Sequence, residues 1–501
     1  MMSDLRSDDY RLERASTGIP GLDEVFGGGF PVDRLHLVHG SPGTGKTTLA
    51  LQFLLEGVRR GESVLYVTLA ETAEELRAVA KSHGWSLDGI ALYELAPNEE
   101  SLKPDEQYTI LHPGEVELGE TTWAVLEEVE QTKPSRVVFD SLAELRLLAR
   151  DQVRYRRQVL GLKQFFAGRH CTVLLLDGVN EGGNGVESVA HSVLALERVA
   201  PDYGTERRRL HLLKVRGSRY RGGYHDYLIR TGGITVFPRL IAAEHEDGFA
   251  PAQVSSGVPA LDVLFGGGLD RGTSTLLVGP AGVGKSVLTT QYAAAAAERG
   301  ERTAMYVFDE SLQTLLRRSE GLGIGLTEYV REGRVSPRRL DPAQLSPGEF
   351  DHLVRQAVEV EGARLVVIDS LNGYLNAMAE EHAVIVQLHE LLIYLGQQGV
   401  LTLLTIAQHG LVGDRHESPL DVSYLADTVV LLRYFEAAGE LRQAISVVKK
   451  RTGAHEDTIR EFHIGRGGIT LGEPLVNFQG VLRGVPTLVV DAPALVRSEP
   501  T

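Results

Sequence analysis

Short apolar runs alternate with helical segments along the chain, and each run has the length of a single strand. In the first half these runs predict strands at residues 35–38, 63–68, 136–140 and 171–176, with a helix at 49–55. Two further runs, 208–214 and 227–230, are expected to pair as a hairpin, whereas the polar segment 97–119 is expected to form a surface loop. Strands that alternate with helices and then follow one another predict an α/β fold, with a mostly parallel sheet, flanking helices and an antiparallel edge.

A glycine-rich loop joins the first predicted strand to the first predicted helix. It fits the pattern G-x-x-x-x-G-K-[ST], whose glycines let backbone N–H groups converge on phosphate oxygens beside the positive end of the helix. The lysine of this pattern reaches the β- and γ-phosphates, and the hydroxyl after it can bind Mg²⁺. The nucleotide-binding residues predicted here are Gly40, Ser41, Pro42, Gly43, Thr44, Gly45, Lys46, Thr47 and Thr48.

A second copy of this loop follows another apolar run, at residues 275–278. The two loop lysines are 285 − 46 = 239 residues apart, and glycines before both loops keep that offset. A repeat of this length indicates a duplicated domain, so we predict one domain at 1–245 and another at 246–501. The second loop consists of Gly279, Pro280, Ala281, Gly282, Val283, Gly284, Lys285 and Ser286. Further strands of the second copy are predicted at 303–308, 364–369 and 401–406, with a hairpin around 449–460.

Composition and charge narrow the class of protein. The hydrophobic content of 43% and charged content of 24% are ordinary for a soluble globular protein, and no apolar run reaches the roughly 18 residues of a membrane span. The single cysteine, Cys171, excludes an intrachain disulfide and suits the cytoplasm, where we expect the protein to reside. The net charge of −16 opposes binding to nucleic acid or anionic membrane, so we expect neither as a partner.

Each half places an aspartate at the end of an apolar strand. Asp140 ends the run VVFD and Asp369 ends the run VVID. The carboxyl ends of parallel strands meet at the edge of the sheet where ligands bind, so these carboxylates can hold Mg²⁺ through its water shell. Together with the loop hydroxyls, they give predicted metal sites at Thr47 and Asp140 and at Ser286 and Asp369. The structural alternative is an aspartate that only caps a turn.

A second group of acids follows the second strand of each half. Glu71 and Glu310 keep the offset of the two loops, and Asp309 stands beside Glu310. We predict that these three carboxylates are the catalytic acids that orient the attacking water. The alternative is that a glutamate near the start of a helix complements the helix dipole.

A Lys-x-Arg pattern recurs late in each half. Lys214 and Arg216 correspond to Lys449 and Arg451, because each lysine lies 18 residues before a matching glycine (232 − 214 and 467 − 449). In ring-shaped ATPases such cations reach the nucleotide of the neighbouring subunit, and we predict trans nucleotide contacts for these four residues. The alternative is solvated surface charge.

The motifs in this order resemble those of the KaiC family. The segments that carry the resemblance are STGIPGLDEVFGGGF, GSPGTGKTT, VVFDSL, LKVRG and GGITVFP, followed by SSGVPALDVLFGGG, GPAGVGKS, VVIDSL and VVKKRTG. The resemblance covers residues 16–485. It implies two tandem RecA-like P-loop NTPase domains, ATP and Mg²⁺ as cofactors, and a two-tiered homohexamer with nucleotides at subunit interfaces. It also implies ATP hydrolysis in the first tier and autokinase and autophosphatase activity on Ser/Thr in the second.

This chain departs from the KaiC pattern at two places. KaiC has two adjacent glutamates after the second strand of each tier, where this chain has Ala70-Glu71 and Asp309-Glu310. In the segment that resembles the phosphoacceptor region, Ser423 stands at the serine position and Tyr424 at the threonine position. Ser423 is therefore the candidate phosphoacceptor, and Tyr424 is expected to be a packing residue. The resemblance implies a clock or signalling role with KaiB-like or KaiA-like clock proteins, or other signalling proteins, as partners.

Two other functions fit the same loops. A RecA- or DnaB-like DNA-dependent motor or recombinase needs basic loops that face a pore. The one dense basic run, 207–209, indicates instead a solvated face beside the hairpin. A nucleotide-gated scaffold, whose partner proteins sense the bound nucleotide, would bind ATP without hydrolysing it.

Overall fold

The computed structural model describes residues 13–95, 113–149, 151–178, 185–200, 204–245, 248–376, 381–408, 423–483 and 487–488. They divide into two compact units, the first ending at Arg239 and the second beginning at Leu240. The predicted boundary at 245/246 therefore lies inside the second unit. The division comes earlier because Leu240 and Ala242 pack in the hydrophobic core of the second unit.

The first unit contains the strand and the helix that were predicted on either side of the phosphate loop, which are β3 and α2 below. Its strands are β1 (Arg14–Ala15), β2 (Phe30–Pro31), β3 (Leu35–Gly40), β4 (Val64–Thr68), β5 (Ile90–Glu94), β6 (Arg136–Asp140), β7 (Thr172–Asp177), β8 (Ser192–Val199), β9 (Arg207–Val215), β10 (His225–Arg230) and β11 (Gly233–Phe237). Its helices are α1 (Leu22–Phe26), α2 (Lys46–Arg59), α3 (Ala73–Ser82), α4 (Pro113–Thr132), α5 (Leu142–Ala149), α6 (Gln152–Phe166) and α7 (Val186–Val189).

One large sheet organises this unit. Among the described residues its order is β11-β10-β9-β8-β3-β7-β6-β4-β5. The strands from β8 to β5 are parallel, and β9, β10 and β11 continue the sheet as an antiparallel edge. Because β3, β6 and β7 run the same way, their carboxyl ends meet at one edge of the sheet, where the phosphate loop begins.

The second unit repeats the elements of the first. Its strands are β12 (Gln253–Val254), β13 (Leu269–Asp270), β14 (Ser274–Gly279), β15 (Arg302–Val307), β16 (Val335–Arg339), β17 (Ala363–Asp369), β18 (Leu401–Ala407), β19 (Thr428–Ala437), β20 (Glu440–Lys450), β21 (Arg460–Gly465), β22 (Gly468–Pro474), β23 (Phe478–Gln479) and β24 (Thr487–Leu488). Its helices are α8 (Pro259–Leu264), α9 (Lys285–Glu298), α10 (Leu312–Gly321), α11 (Leu326–Arg331), α12 (Pro347–Glu359), α13 (Leu371–Asn376) and α14 (Glu381–Gln397), with 3₁₀ turns at Ala242–Glu244 and Val481–Arg483.

The second sheet has the same topology as the first. Its order is β16-β15-β17-β18-β14-β19-β20-β21-β22, with β20, β21 and β22 as the antiparallel edge. The predicted fold class, two tandem α/β domains with mostly parallel sheets and antiparallel edges, is confirmed. No helix among the described residues is long and apolar enough to cross a membrane.

Both faces of each sheet are buried, which explains why most residues of the central strands are apolar. In β3, Leu35 and Leu37 face one core cluster while Val38 faces the other. In β14, Leu276 and Leu277 divide between two clusters in the same way. Parallel strands covered by helices on both faces have this pattern because alternate side chains enter two different cores.

The prediction of a surface loop at 97–119 is wrong in its last part. Residues 96–112 lie outside the described residues, but α4 begins at Pro113 and includes the remainder. Proline is favoured at the first position of a helix because its missing N–H is not needed there. The weak apolar periodicity of this stretch concealed the helix.

An aspartate organises the loop before each central strand. Asp23 accepts hydrogen bonds from the Ser16 hydroxyl (2.7 Å) and from the Thr17 hydroxyl (2.7 Å) and N–H (2.8 Å). Asp262 accepts the equivalent bonds from Ser255 and Ser256. The repeated S-[ST]-G-x-P-x-L-D pattern is therefore a structural motif that fixes the approach to the sheet.

We expect Asp23→Ala to destabilise the first domain by about 2 kcal/mol, because it leaves two partly buried hydroxyls and one N–H without their acceptor. Thermal unfolding followed by circular dichroism measures the change. Asp88→Ala, which removes an exposed carboxylate from the same domain, is the control and should leave the transition in place. Equal midpoints for the two variants would contradict the structural role of Asp23.

Candidate nucleotide-binding sites

The first phosphate loop lies between β3 and α2 at the carboxyl edge of the sheet. Gly43 and Gly45 have positive φ angles of 80° and 90°, and Gly45 caps the start of α2. A Cβ on Gly45 would lie 2.5 Å from Cδ1 of Ile229, so only glycine fits this turn. The loop thus has the backbone conformation that directs N–H groups toward a bound anion.

Lys46 folds back across this loop. Its Nζ donates to the backbone oxygens of Gly40 (2.7 Å) and Ser41 (3.2 Å). Burial lowers the pKa of Lys46, and the carboxylates of Asp140, Asp177 and Glu71 oppose that shift. A partly buried ammonium surrounded by carbonyl oxygens is suited to exchange those neutral acceptors for charged phosphate oxygens.

The second phosphate loop repeats this arrangement between β14 and α9. Lys285 Nζ donates to the backbone oxygens of Gly279 and Pro280, both at 2.8 Å. Gly284 caps α9 with φ 111°, and a Cβ there would lie 2.6 Å from Cδ1 of Ile464. Burial lowers the pKa of Lys285 to about 8, against the opposing effect of Asp369 and Asp309.

The structure brings Thr47 and Asp140 together, as a shared metal site requires. The Thr47 hydroxyl donates to Oδ2 of Asp140 at 3.2 Å, and the Tyr66 hydroxyl donates to the same oxygen at 2.6 Å. Burial raises the pKa of Asp140, and the hydrogen bonds from Tyr66 and Thr47 oppose the rise. Among the described residues, no group of three or more His, Cys, Asp or Glu could hold a metal unaided. A hydroxyl beside one carboxylate fits Mg²⁺, which takes its remaining ligands from phosphate oxygens and water.

Asp369 occupies the equivalent place in the second half but has a different partner. It is 8% exposed, and its Oδ1 accepts a hydrogen bond from the Thr405 hydroxyl at 2.5 Å. Ser370, the next residue, donates from its hydroxyl to Asp309. Asp309 is therefore hydrogen-bonded to the residue that follows Asp369. The charges of both aspartates act to raise the pKa of Lys285.

Glu71 has a buried carboxylate oxygen without a partner. Its backbone is fixed by Thr68, whose hydroxyl accepts from Glu71 N–H (3.0 Å) and donates to Glu71 O (2.6 Å). Among the described residues no hydrogen-bond donor reaches its Oε2. Burial, and then the charge of Asp140, raises the pKa of Glu71. A desolvated carboxylate with a free oxygen beside the phosphate loop is suited to accept a hydrogen bond from water.

Glu310 is held quite differently. Its two carboxylate oxygens accept from the guanidinium of Arg318 at 2.6 and 2.8 Å. The two halves of the chain therefore share a position for this glutamate but differ in what contacts it.

The Lys-x-Arg cations do not lie at the phosphate loops of their own domains. Lys214 of β9 pairs with Val193 of β8, and Val193 pairs in turn with Leu37 of β3. Leu37 lies three residues before Gly40, where the phosphate loop begins. Because β9 runs antiparallel to β8, Arg216 lies still farther from the loop; it donates to the backbone oxygen of Ser188.

The second half repeats this separation. Lys449 lies opposite Val429, which is level with Leu276, three residues before Gly279. Three residues of strand correspond to about 10 Å, and one strand lies between the cation and the loop strand. In both halves the cations are therefore too distant to contact a phosphate in their own loop.

Ser423 lies beside the cations of the second half. Its backbone oxygen accepts from Lys449 Nζ at 3.2 Å, and the backbone oxygen of Tyr424 accepts from Arg451 at 2.9 Å. Tyr424 is 55% exposed in the single chain, so it is not buried in its own domain. The expectation that it is a packing residue stays a prediction for the assembled protein. The segment turns its bulky residue outward and uses backbone oxygens to bind the cations.

Several polar residues of these sites were not predicted from the sequence. Tyr66 and Thr405 hydrogen-bond the two strand-end aspartates, and Arg318 pairs with Glu310. Asp177 is fully buried beside His39 of the loop strand and pairs with Arg146. Asp177 had a detectable signal, since it ends the apolar run TVLLLD as Asp140 ends VVFD. The other three lie inside ordinary strands or helices and had none.

Comparison with known proteins assigns the family. The family model described as "ATPase: KaiC" matches residues 15–241 and again residues 254–476. The chain belongs to the KaiC ATPase family. As a member of that family it is a P-loop ATPase with two ATP-binding domains.

Individual relatives match over nearly the whole chain. The "Circadian clock protein KaiC3" of Synechocystis sp. is 29% identical over 491 residues, covering 95% of both chains. The "Circadian clock oscillator protein KaiC" of Synechococcus elongatus is 29% identical over 502 residues, covering 96% of this chain and 93% of its own. The protein of the same name from Prochlorococcus marinus is 27% identical over 512 residues, covering 97% and 98%.

We expect Lys46→Ala and Lys285→Ala each to remove one of two bound nucleotides per chain, with at least about tenfold weaker binding at the altered loop. Removal of the ammonium takes away the charged donor to the phosphates. Equilibrium dialysis with labelled ATP counts the sites, and Lys81→Ala, at an exposed position on α3, is the control. Two nucleotides retained by the double variant would contradict the assignment of both loops.

Proposed function

We propose that the protein hydrolyses ATP as a homohexamer whose sites lie between subunits, and that its second half transfers phosphate to Ser423. The observation that supports this most strongly is the distance between each Lys-x-Arg pair and the phosphate loop of its own domain. Cations repeated at equivalent positions in both halves, yet remote from both loops, are explained if they serve the loop of a neighbouring copy.

In the first half, Glu71 would orient the attacking water. The water oxygen bonds to the γ-phosphorus, its proton passes to the Glu71 carboxylate, and the bond from phosphorus to the β–γ bridging oxygen breaks. ADP and inorganic phosphate leave. Lys46 stabilises the charge on the β- and γ-phosphates, and Lys214 and Arg216 of a neighbouring copy would add positive charge. Thr47 and Asp140 would hold Mg²⁺, which when bound neutralises phosphate charge.

In the second half, the acceptor of the phosphoryl group would be the Ser423 hydroxyl. Lys449 and Arg451 bond to the backbone of Ser423 and Tyr424, so the acceptor and the cations would reach a neighbour's ATP together. The Ser423 oxygen bonds to the γ-phosphorus, its proton passes to Glu310, and the bond to ADP breaks. Asp309 and Asp369 supply the remaining carboxylates, and Ser286 the loop hydroxyl for Mg²⁺.

The names of the relatives support a proposal about the wider biological role. Because proteins described as circadian clock proteins match the chain nearly end to end, we propose a clock or signalling function, with KaiB-like or KaiA-like proteins or other signalling proteins as partners. Ring conformation, set by nucleotide and phosphate, would be what those partners recognise.

A DNA-dependent motor is the second candidate and has weaker support. Two arginines of the basic run have acidic partners in the same domain: Arg208 pairs with Glu206 (3.3 Å), and Arg209 with Glu197 (2.8 Å). With a net charge of −16 and these arginines neutralised, little attracts a phosphate backbone. Turnover stimulated by DNA at moderate salt would reverse this ranking.

We expect Glu71→Gln to lower first-half turnover by about 100-fold or more, because the amide cannot accept the proton of the attacking water. Phosphate release is measured in a Lys285→Ala background, so that only the first loop binds ATP. Glu74→Gln, on the exposed face of α3, serves as the control. Unchanged turnover in the Glu71 variant would remove Glu71 from this role.

We expect phosphate transfer to Ser423 to occur between chains. A Lys285→Ala chain keeps the acceptor but lacks a working second loop, and a Ser423→Ala chain has the reverse defect. Neither should gain phosphate on residue 423 alone, whereas mixed rings should gain it on the Lys285→Ala chain. Mass spectrometry after incubation with ATP and Mg²⁺ distinguishes the chains by a mass tag. Labelling of the Lys285→Ala chain by itself would contradict transfer in trans from the second loop, and no labelling of Ser423 in the unaltered protein would exclude it as the acceptor.

A further inference from the structure

The two glutamates proposed as catalytic acids stand at equivalent positions but in different surroundings. Glu71 lies two residues before helix α3, and Glu310 lies two residues before helix α10; both helices keep the 239-residue offset of the loops. In the first half, one oxygen of the Glu71 carboxylate has no hydrogen-bond partner within the part of the chain that the structure describes. In the second half both oxygens of Glu310 bond to Arg318.

The different surroundings of the two glutamates arise from one position in the helix that follows each of them. Subtracting the offset from Arg318 gives 318 − 239 = 79, and the residue there is Val79, which packs against the hydrophobic core of the first domain. The first half therefore lacks a cation at the place from which Arg318 reaches back. The two helices are alike at their first residues, because each begins with a hydroxyl N-cap, Thr72 in α3 and Ser311 in α10.

The pair in the second half is well formed. Arg318 and Glu310 are 27% and 19% exposed, so water competes weakly with their contact. A fork-to-fork arrangement of guanidinium and carboxylate gives two parallel charge-assisted bonds and fixes the orientation of both groups. The neighbouring acid has a different partner, because Asp309 accepts a hydrogen bond from the Ser370 hydroxyl.

We infer that Arg318 is a positioning residue that restrains Glu310 and makes ATP hydrolysis by the second half slower than hydrolysis by the first. This inference rests on the proposed role of Glu310 beside the second phosphate loop. While Arg318 occupies both oxygens, a water molecule must compete with a guanidinium for the carboxylate. Among the described residues of the first half no guanidinium bonds to Glu71, so one oxygen of this glutamate is available to water.

The test uses the full chain with Lys46→Ala, so that phosphate release reports the second half alone. In this background we expect Arg318→Met to accelerate release by about three- to tenfold, since it frees a carboxylate whose full contribution is about 100-fold or more. Arg318→Lys keeps the charge but loses the fork, and should give an intermediate rate. Arg317→Met is the matched control, because it removes the same charge from the adjacent exposed position; it should leave the rate unchanged.

Two results separate failure of this inference from failure of the proposed function. If Glu310→Gln lowers release in the Lys46→Ala background but Arg318→Met is no faster than Arg317→Met, Glu310 keeps its role and the restraint by Arg318 is wrong. If Glu310→Gln leaves release unchanged, the proposed role of Glu310 is wrong, and with it the basis of the inference.

The reverse exchange provides an independent check in the first half. In a Lys285→Ala background, Val79→Arg should slow phosphate release by about three- to tenfold, because it brings a guanidinium to Glu71. Val79→Met has a similar length without the charge and should not slow it. Equal rates for the two variants would contradict the inference.

Discussion

The contact on which the rest of this protein depends is that of a lysine ammonium with the carbonyl oxygens of its own glycine bend. Lys46 bonds to Gly40 and Ser41, and Lys285 bonds to Gly279 and Pro280. Each bend sits where the central strand of a parallel sheet ends, and each lysine is partly desolvated there. Burial of an ammonium is costly unless acceptors surround it, so the bend, the sheet edge and the nearby carboxylates form one interdependent unit.

Duplication preserved this unit and varied its surroundings. Both halves keep the strand-end aspartate, but Asp140 is bonded by Tyr66 and Thr47, whereas Asp369 is bonded by Thr405. In the first half the buried Asp177 forms an ion pair with the partly exposed Arg146. The register-equivalent position of Asp177 in the second half is Ile406, which belongs to an apolar core. Such differences change the electrostatics of a site without changing its fold. Two similar domains that bind the same nucleotide can in this way differ in the reaction they favour.

Much of the fold was predictable because its signals are local. The apolar run 136–140 matches β6 residue for residue, and the phosphate loops are fixed by glycines at set spacings. Strand β5 was not predicted, and neither were β8 and β19, the interior strands that join the parallel strands to the antiparallel edge. Their patterns are weaker or mixed with polar residues. The start of α4 at Pro113 was missed for the same reason.

The candidate sites were predictable only as far as motifs reach. Loop residues and strand-end acids could be named from sequence, and the structure places Thr47 beside Asp140. The contact of Arg318 with Glu310 could not be foreseen, because it depends on the rotamers of two side chains eight residues apart. The distance of Lys214 from its own loop depends on the antiparallel direction of β9, which the Lys-x-Arg pattern does not reveal.

We propose that each nucleotide is bound by the loop of one copy and by the Lys-x-Arg cations of another. An experimental structure of the assembled protein with a non-hydrolysable ATP analogue tests it most directly. We expect phosphates within both loops of every chain, with Lys214 or Lys449 of the adjacent copy within hydrogen-bond distance of the γ-phosphate. Phosphates bound in the loops with no cation of another copy near them would contradict it.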